Sequence, residues 1–298
     1  MFRKNKSVHF DAAKDIPPLD GKIIIVTGAN NGLGKQSVLE LAKHNPSQIW
    51  LAARSLAKGQ AALEDIKKQA PDANIKLLEL DLASFDSVRK AAQTFLSEAT
   101  RLDILMLNAG IMAAPPGLTR DGYEMQFGTN HMGHAFFAKL LLPTLVQTAA
   151  VPGSDVRVVS LSSDGHAMLS KGGFDFNSLK TDAEAMGAYN RYFQSKLANV
   201  LWARQLAKEY PQLTVAAVHP GLVNTNLLES ATDGSAILTS TFKLFKNLMN
   251  SPETGARNQL WACFSKDLKS GEYYVPVGVH GKASVDGMDD ALAKRLWE

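Results

Sequence analysis

The sequence predicts one α/β domain with a doubly wound parallel sheet flanked by helices. Strand and helix patterns alternate along most of its 298 residues, and 45% of the residues are hydrophobic, enough to bury one large core. The clearest local feature is a run of three isoleucines and a valine at 23–26, followed at once by a glycine-rich turn and a helical pattern. That succession is typical of a βαβ unit.

Short apolar runs predict six strands, and we expect a seventh near 273–275. The six runs are 22–26, 48–52, 75–80, 102–107, 156–161 and 214–218. Apolar residues at helical spacing predict helices at 35–43, 56–69, 84–98, 122–148, 188–209 and 252–264.

The predicted domain covers residues 20–298, after an N-terminal extension at 1–19. Residues 222–250 break the alternation, because they mix serine, threonine and glycine with scattered apolar residues. Such a segment is typical of a substrate lid, and an ordinary surface insertion is the alternative interpretation.

Composition and charge exclude several classes of protein. The net charge of +3 is small and dispersed, so nothing indicates a nucleic-acid partner. The one cysteine, Cys263, excludes an internal disulfide, and its apolar neighbours indicate a buried thiol. Because there is neither a secretory signal nor a run of about 18 apolar residues, we expect a cytoplasmic protein without a transmembrane segment.

The glycine-rich turn reads Thr27-Gly-Ala-Asn-Asn-Gly-Leu-Gly34. Glycines let the backbone approach a phosphate, and the helix that follows points free N–H groups and its positive dipole end at the same place. A P-loop needs four residues between its glycines and a serine or threonine after the lysine, whereas Gly28 and Gly34 enclose five residues and Gln36 follows Lys35. The turn therefore predicts a nucleotide site that is not that of an NTPase.

Tyr192 and Lys196 are four residues apart in a predicted helix, so their side chains share one face. A phenol has a reference pKa of about 10, and a nearby lysine cation lowers it. The pair could then exchange protons near neutral pH. Tyr189 lacks such a partner, because Phe193 lies four residues beyond it.

Polar residues follow two predicted strands at the edge where doubly wound sheets bind ligands. Ser162 and Ser163 follow 156–161, and each could hold a substrate oxygen or cap a turn. Asn108 follows 102–107, and Asn130 lies inside a long helical pattern, where asparagine usually has a polar or packing reason. His131 and His134 are close enough to raise the question of a metal, but no cysteine or carboxylate joins them and we expect none.

The order of these motifs resembles the short-chain dehydrogenase/reductase family over about residues 20–278. The matching set is Thr-Gly-x-x-x-Gly-x-Gly, Asn108-Ala-Gly, Asn130, Ser162-Ser163, Tyr192-x-x-x-Lys196 and Pro220-Gly-Leu-Val-Asn-Thr225. The runs Ser195-Lys-Leu-Ala-Asn and His219-Pro-Gly are similar to the retinol-dehydrogenase-like branch with its fungal relatives. The resemblance implies a Rossmann-type sheet of seven parallel strands in the order 3-2-1-4-5-6-7, and a homodimer or homotetramer. Nucleotide-sugar epimerases share a related fold, but their G-x-x-G-x-x-G spacing is absent.

The resemblance also implies a role for each matching residue. Tyr192 would give or take a proton, and Lys196 would bind the nicotinamide ribose and lower the pKa of Tyr192. Ser163 would orient the substrate oxygen, with Ser162 as its stand-in, and Asn130 would support a water relay to Lys196. The implied coenzyme contacts are Gly28, Asn31, Gly32, Leu33 and Gly34 in the glycine turn, Asp81 at the adenine, Asn108 at the adenosine, and Val223 with Thr225 at the carboxamide.

Arg54 predicts that the coenzyme is NADP(H). It lies 20 residues after Gly34, where an NAD enzyme normally has an acid for the ribose hydroxyls, and the sequence has Ala53 there instead. A guanidinium suits a 2′-phosphate, and Lys58 follows a turn later. A solvated surface arginine is the alternative interpretation.

We therefore expect an NADP(H)-dependent oxidoreductase that interconverts a carbonyl and an alcohol on a small molecule. A non-catalytic NADP(H)-binding regulator is the alternative. Pocket candidates favour an apolar or aromatic substrate such as a retinoid, steroid, xenobiotic ketone or fungal secondary metabolite. These candidates are Met112, His166, Met168, Tyr189 and Leu227.

Overall fold

The computed structural model describes residues 7–170, 172–223 and 249–298, and within these ranges one eight-stranded sheet forms the centre of the protein. The strands are β1 Ile23–Thr27, β2 Gln48–Ala53, β3 Ile75–Glu79, β4 Ile104–Leu107, β5 Arg157–Leu161, β6 Thr214–Val218, β7 Glu272–Val275 and β8 Val279–His280. Their spatial order is β3-β2-β1-β4-β5-β6-β7-β8. The first seven are parallel, and β8 pairs antiparallel with β7.

The seven predicted strands and their order are confirmed, with ends within two residues of the expected bounds. The eighth strand was not predicted. It has two residues and returns along β7 after a turn at Gly278, whose φ of 68° is left-handed. A strand this short carries no hydrophobic period that a sequence could show.

Nine α-helical segments are described beside the sheet. They are α1 Ala12–Asp15, α2 Gly32–Ala42, α3 Leu56–Lys67, α4 Phe85–Glu98, α5 Met125–Phe127, α6 Gly133–Ala149, α7 Ala188–Glu209, α8 Pro252–Phe264 and α9 Asp290–Trp297. Serine side chains cap α3, α4 and α8, because Ser55, Ser84 and Ser251 each accept a hydrogen bond from a backbone N–H three residues on.

The helix predicted at 122–148 is not continuous. A π-helical turn, Gly128–Met132, separates α5 from α6. Glycines lie at both ends of this turn, and a Cβ there would overlap Thr119 at Gly128 and the backbone of Leu82 at Gly133. One extra residue in a turn does not change the apolar pattern enough to be read from the sequence, and such π turns are frequent at functional sites.

Two apolar layers cover the two faces of the sheet, which explains why the strands are apolar throughout rather than alternating. On one face, α2, α3 and α8 pack on side chains such as Ile24 and Val26. On the other face, α4, α6 and α7 pack on Ile25 and Trp50. Cys263 lies in the first layer, and burial raises the pKa of its thiol to about 12, as expected of a structural thiol.

The N-terminal segment is part of this core, since Phe10, Ile16 and Leu19 are buried in the first layer. Most of the candidate lid at 222–250 lies outside the described residues, which resume at residue 249. At its two ends, Val223 pairs with Asn250. In the described part of the chain, no helix is both long and apolar enough to cross a membrane.

Candidate active site

The residues singled out from distant parts of the sequence lie along the carboxyl edge of the sheet. The loop after each of the first six strands supplies one group of them: the glycine turn after β1, Arg54 after β2, Asp81 after β3, Asn108 after β4, Ser163 after β5 and Val223 after β6. Parallel strands end at the same edge, so the fold itself brings these loops together. Thr225 lies outside the described residues.

The backbone of the glycine turn packs closely against neighbouring residues. Gly28 has a φ of 63°, and a Cβ on it would lie 2.8 Å from the Cα of Ala109. A Cβ on Gly34 would lie 2.5 Å from the Nδ2 atom of Asn108, so neither position accepts a side chain. The cap residue of α2, Asn31, makes no side-chain capping hydrogen bond, unlike the serines that cap α3, α4 and α8. The N-terminus of α2 therefore still presents its first N–H groups to an anion.

Thr27 and Asn108 fix the shape of this turn. The Thr27 hydroxyl accepts hydrogen bonds from the backbone N–H groups of Asn108 and Ala109, at 2.9 and 3.0 Å. The Asn108 amide donates to the Thr27 carbonyl at 2.8 Å and receives a bond from Gln259 on α8 at 3.3 Å. In this structure Asn108 therefore ties β4 to the glycine turn, whatever it contributes to a ligand.

Arg54 and Lys58 supply positive charge beside the glycine turn. The backbone N–H of Ala29 in that turn donates to the carbonyl of Ala52 on β2, at 3.1 Å, so the end of β2 lies against it. Arg54 follows two residues later and is exposed, as is Lys58 in the first turn of α3. Within the described ranges, neither side chain forms an ion pair with a carboxylate. Both cations are therefore available to a phosphate.

Asp81 and Val223 lie on either side of the glycine turn. One carboxylate oxygen of Asp81 accepts a bond from the backbone N–H of Ala83 at 3.1 Å, and the residue remains half-buried. Val223 is buried next to Leu33, because a Cβ on Gly255 would overlap both side chains. The structure thus places Val223 beside the glycine turn.

Tyr192 and Lys196 share one buried face of α7. The side-chain nitrogen of Lys196 lies 5.6 Å from the centroid of the Tyr192 ring and donates to the carbonyl of Leu161 at 3.1 Å. Only 6% of Tyr192 and 5% of Lys196 are exposed, so both groups have lost most of their hydration. Gly110 lies close to this lysine, since a Cβ on Gly110 would be 3.4 Å from the lysine nitrogen.

The pKa of Tyr192 differs from the sequence-based expectation. Burial raises it to about 12, and the hydrogen bond with Ser163 acts in the opposite direction. Burial also lowers the pKa of Lys196 to about 8. The expected lowering of the Tyr192 pKa is therefore wrong for this structure, because loss of hydration raises the pKa by more than the Ser163 hydrogen bond lowers it.

The two adjacent serines have different surroundings. The Ser162 hydroxyl is buried and donates to the backbone carbonyl of Lys196 at 2.7 Å, which ties β5 to α7. The Ser163 hydroxyl is hydrogen-bonded to Tyr192 and also accepts from the backbone N–H of Gly165 at 3.1 Å. The geometry therefore places Ser163 beside the phenol and gives Ser162 a structural bond.

Asn130 lies inside the π-helical turn, and its side chain is fully engaged. The amide donates to the carbonyl of Ile111 and to the Ser195 hydroxyl, both at 2.9 Å, and accepts from the N–H of Ile111 at 2.8 Å. Its backbone carbonyl faces the Nδ1 atom of His134 at 3.0 Å. Asn130 thus links the loop after β4 to Ser195 on α7, the residue that precedes Lys196.

His131 and His134, the two histidines that raised the question of a metal, are engaged in hydrogen bonds with other residues. His134 lies between the Asn130 carbonyl and the Thr27 hydroxyl, 2.8 Å away, and His131 lies 3.3 Å from the amide oxygen of Asn199. Burial lowers the pKa of His131 to about 4 and that of His134 to about 3, so both are neutral at pH 7. They connect the π-helical turn to β1 and α7.

Apolar side chains form a wall at Tyr192. Met112 and Ala113, in the loop after β4, pack with Ala188, Tyr189 and Tyr192. Two of the pocket candidates, Met112 and Tyr189, belong to this wall.

The other pocket candidates have different positions. His166 is 1% exposed with both ring nitrogens engaged, so its assignment to the pocket is wrong. Met168 is 67% exposed and faces solvent. Leu227 lies outside the described residues.

Several structural groups of the site were missed by the sequence analysis. Four residues help to hold the site in place: Thr27, Ser195, Asn199 and Gln259. Three of them bond predicted site residues as described above, and Asn199 donates to the Leu161 carbonyl at 3.0 Å, which also accepts from Lys196. Thr27, Ser195 and Asn199 belong to motifs that were recognised, so a polar residue inside a motif but without a role was the available signal. Gln259 lies in α8 and carried no such signal.

The fold and this edge define a dinucleotide-binding protein of the Rossmann type, and the comparisons identify its family. A family model described as short chain dehydrogenase matches residues 22–172. The short-chain dehydrogenase/reductase drtF of Aspergillus calidoustus is 38% identical over 298 residues, covering 95% of this chain and 93% of its own. Human retinol dehydrogenase 13 is 38% identical over 286 residues, covering 94% of this chain and 83% of its own.

Solved structures share the fold. A protein of Mycobacterium paratuberculosis without an assigned function has a TM-score of 0.74 at 31% identity, covering 97% of this chain and 95% of that one. An Escherichia coli short-chain dehydrogenase complexed with NADPH has a TM-score of 0.65 at 21% identity over 87% of this chain and 97% of its own. A Mycobacterium paratuberculosis homologue bound to NAD has a TM-score of 0.64 at 19% identity, over the same shares of the two chains. The fold alone therefore does not choose between the two coenzymes.

This chain belongs to the short-chain dehydrogenase/reductase family and to its retinol-dehydrogenase-like branch. It is accordingly an oxidoreductase that acts on alcohol and carbonyl groups, with a fold that binds a nicotinamide coenzyme. The residues at the edge fit such a group: a turn closed to side chains, an α2 N-terminus without a side-chain cap, and two exposed cations.

Proposed function

We propose that this protein is an NADP(H)-dependent oxidoreductase that interconverts a carbonyl and an alcohol on an apolar or aromatic small molecule, with Tyr192 as the acid/base. The observation that carries the proposal is the buried Tyr192 phenol hydrogen-bonded to Ser163, with the Lys196 ammonium group above its ring. A phenol, a hydroxyl and a cation thus lie together at the ligand-binding edge of the sheet.

The proposed proton step follows from the pKa of Tyr192. A phenol with a pKa of about 12 is protonated at pH 7, so it can donate to the strongly basic oxygen that forms when a carbonyl is reduced. The Ser163 hydroxyl would hold the same oxygen, and the Lys196 charge would stabilise the phenolate left behind. In the reverse direction Tyr192 must first lose its proton, so alcohol oxidation is favoured at high pH. When bound, the nicotinamide supplies or accepts the hydride.

The coenzyme proposal rests on charge beside the glycine turn. Arg54 would bind the 2′-phosphate with help from Lys58, and Lys196 would hydrogen-bond the nicotinamide ribose. The absence of an acid at Ala53 leaves the ribose hydroxyls of NADH without their usual acceptor. Asp81, Asn108 and Val223 would contact the rest of the coenzyme, by the positions that they occupy around the turn.

The substrate proposal rests on the apolar wall. Met112, Ala113, Ala188 and Tyr189 surround Tyr192 and offer few polar groups, so the free energy of binding would come mainly from apolar surface. A retinoid, a steroid, a xenobiotic ketone and a fungal secondary metabolite share this chemistry. Asn130 is proposed to support a water relay to Lys196.

Compartment and assembly are part of the same proposal. One buried cysteine fits a reducing compartment, which favours the cytoplasm. The family resemblance favours a homodimer or homotetramer. Cell fractionation and light scattering of the purified protein measure these two properties.

The test is oxidation of NADPH and NADH with a panel of ketones and aldehydes of increasing apolar surface. We expect turnover with the apolar members and a kcat/KM at least about tenfold higher with NADPH than with NADH. Tight NADPH binding without turnover on any member would instead favour the non-catalytic regulator. Similar kcat/KM values for the two coenzymes would contradict the role of Arg54.

A further inference from the structure

The backbone that carries Ser163 is held by groups that the proposed reaction does not use. Ser163 and Asp164 link β5 to a short 3₁₀ turn, Asp164–Met168. The Ser163 carbonyl receives two hydrogen bonds from His166: one from its backbone N–H at 3.0 Å and one from its ring Nδ1 at 2.7 Å. The position of the Ser163 hydroxyl therefore depends on His166, a buried histidine that takes no part in the proposed reaction.

The hydrogen bonds of His166 define its tautomer. A carbonyl can only accept, so Nδ1 must carry the proton that it donates to Ser163. The backbone N–H of Ser284 can only donate, and it donates to Nε2 at 3.0 Å. His166 is therefore neutral in this arrangement, in agreement with the lowering of its pKa by burial. A proton on Nε2 would break the bond to Ser284.

A second histidine holds the next residue from the opposite side. His219, at the end of β6, accepts from the backbone N–H of Asp164 through Nδ1 at 3.4 Å, and its Nε2 lies 3.3 Å from a carboxylate oxygen of Asp164. The acceptor at Nδ1 leaves the proton on Nε2, directed at the carboxylate. His219 is itself fixed, because its backbone N–H donates to the carbonyl of Tyr274 and its carbonyl accepts from Asn258, at 2.8 and 2.7 Å.

Tyr273 on β7 completes the set. Its buried hydroxyl donates to Asp164 at 2.7 Å, and its ring packs edge-on against His166 with 4.6 Å between centroids. His219 and Tyr273 thus hold Asp164, while Ser284 holds His166, which in turn holds Ser163.

We propose that His166 and His219 are positioning residues for Ser163. Both are neutral and they are held in opposite tautomers, so that His166 binds the Ser163 carbonyl and His219 binds the Asp164 N–H. Together they fix the Ser163 hydroxyl against Tyr192. Tyr273 supports His219 through Asp164 and supports His166 directly through ring packing. The effect is on geometry, since displacement of a reacting group by about 1 Å can lower a rate by about 10²-fold. The proposal rests on the role of Ser163 in the proposed function.

The test compares two replacements of His166. His166→Asn places an amide near the former Nδ1, so it can still donate to the Ser163 carbonyl. His166→Gln places its amide near the former Nε2 and loses that bond. Both remove the ring that packs on Tyr273, so their melting temperatures should fall alike. We expect His166→Gln to lower kcat about tenfold and His166→Asn to stay within about threefold of wild type, with the NADPH dissociation constant unchanged in both.

Two further variants complete the experiment. Tyr273→Phe removes a single oxygen atom and should lower kcat by about three- to tenfold without changing coenzyme affinity. His44→Asn replaces a half-buried histidine in another part of the fold and should leave kcat unchanged.

Three outcomes decide between the ideas. Equal losses in His166→Asn and His166→Gln, or wild-type kcat in Tyr273→Phe, would overturn the positioning role. If the two His166 variants do not fold, Tyr273→Phe alone decides. The proposed function has a separate indicator: a Tyr192→Phe variant that keeps its turnover would reject that function, whereas an inactive Tyr192→Phe with fully active histidine variants would reject only this inference.

Discussion

Acidification from pH 7 to pH 5 should lower the free energy of unfolding by about 4 kcal/mol through His131 and His134 alone. Their pKa values in the folded protein are about 4 and about 3, because both rings are buried. An unfolded histidine titrates near 6.5, so at pH 5 the unfolded chain binds a proton on each that the folded protein does not. The difference of about 1.5 pH units, at about 1.4 kcal/mol per unit, gives about 2 kcal/mol for each ring.

The sign follows from which state binds the proton. Both pKa values are lowered by folding, so the two contributions are fully present above pH 6.5 and are lost as the pH falls. The pKa values of His44, His166 and His219 are lowered as well, and they act in the same direction. The value of about 4 kcal/mol is therefore the contribution of His131 and His134 only.

Urea unfolding at pH 7, 6 and 5 measures this effect. His131→Gln cannot titrate, so the fall in its unfolding free energy between pH 7 and pH 5 should be smaller than that of wild type by about 2 kcal/mol. Its urea unfolding curve at pH 7 should keep the wild-type shape. An unfolding free energy that changes by less than about 1 kcal/mol between pH 7 and pH 5 would refute the reasoning, as would a His131→Gln variant with the wild-type pH dependence.

Three substitutions test the coenzyme and substrate sides of the site. Arg54→Ala should raise the KM for NADPH at least about tenfold and change NADH kinetics little, and equal weakening with both coenzymes would contradict this assignment. Gly34→Ala places a Cβ 2.5 Å from neighbouring atoms and should raise the NADPH dissociation constant about tenfold or more by calorimetry, whereas Gly117→Ala, with nothing within 4 Å, should not. Ser163→Ala should lower kcat/KM about 10²-fold and Ser162→Ala less than about tenfold, and the opposite ranking would exchange their assignments.

The sequence was sufficient for the parts of the fold that are periodic. Parallel strands buried on both faces read as apolar runs, so β1 to β7 and their helices could be located without a structure. The π-helical turn at Gly128–Met132 and the two-residue strand β8 could not, because neither leaves a period in the sequence.

In the site, too, the sequence predicted what depends on residue spacing and did not predict what depends on burial. The spacing of Tyr192 and Lys196 predicted that they share a face, and the structure places them so. The pKa of Tyr192 was expected to be lowered, but it depends on burial by residues far away in the chain, which spacing does not report. His166 was a pocket candidate, whereas in the structure its ring faces the Ser163 backbone and Ser284.

The transfer of deuterium from coenzyme to product tests the central claim most directly. NADPH carrying deuterium at both C4 positions is incubated with the apolar carbonyl that gives the highest turnover, and the alcohol is analysed by mass spectrometry. Wild-type protein should place one deuterium on the former carbonyl carbon, and Tyr192→Phe should form this product at least about 10²-fold more slowly with an unchanged NADPH dissociation constant. Product without coenzyme-derived deuterium, or a Tyr192→Phe variant that keeps more than about a tenth of the wild-type rate, would contradict the proposed acid/base role of Tyr192 in hydride transfer.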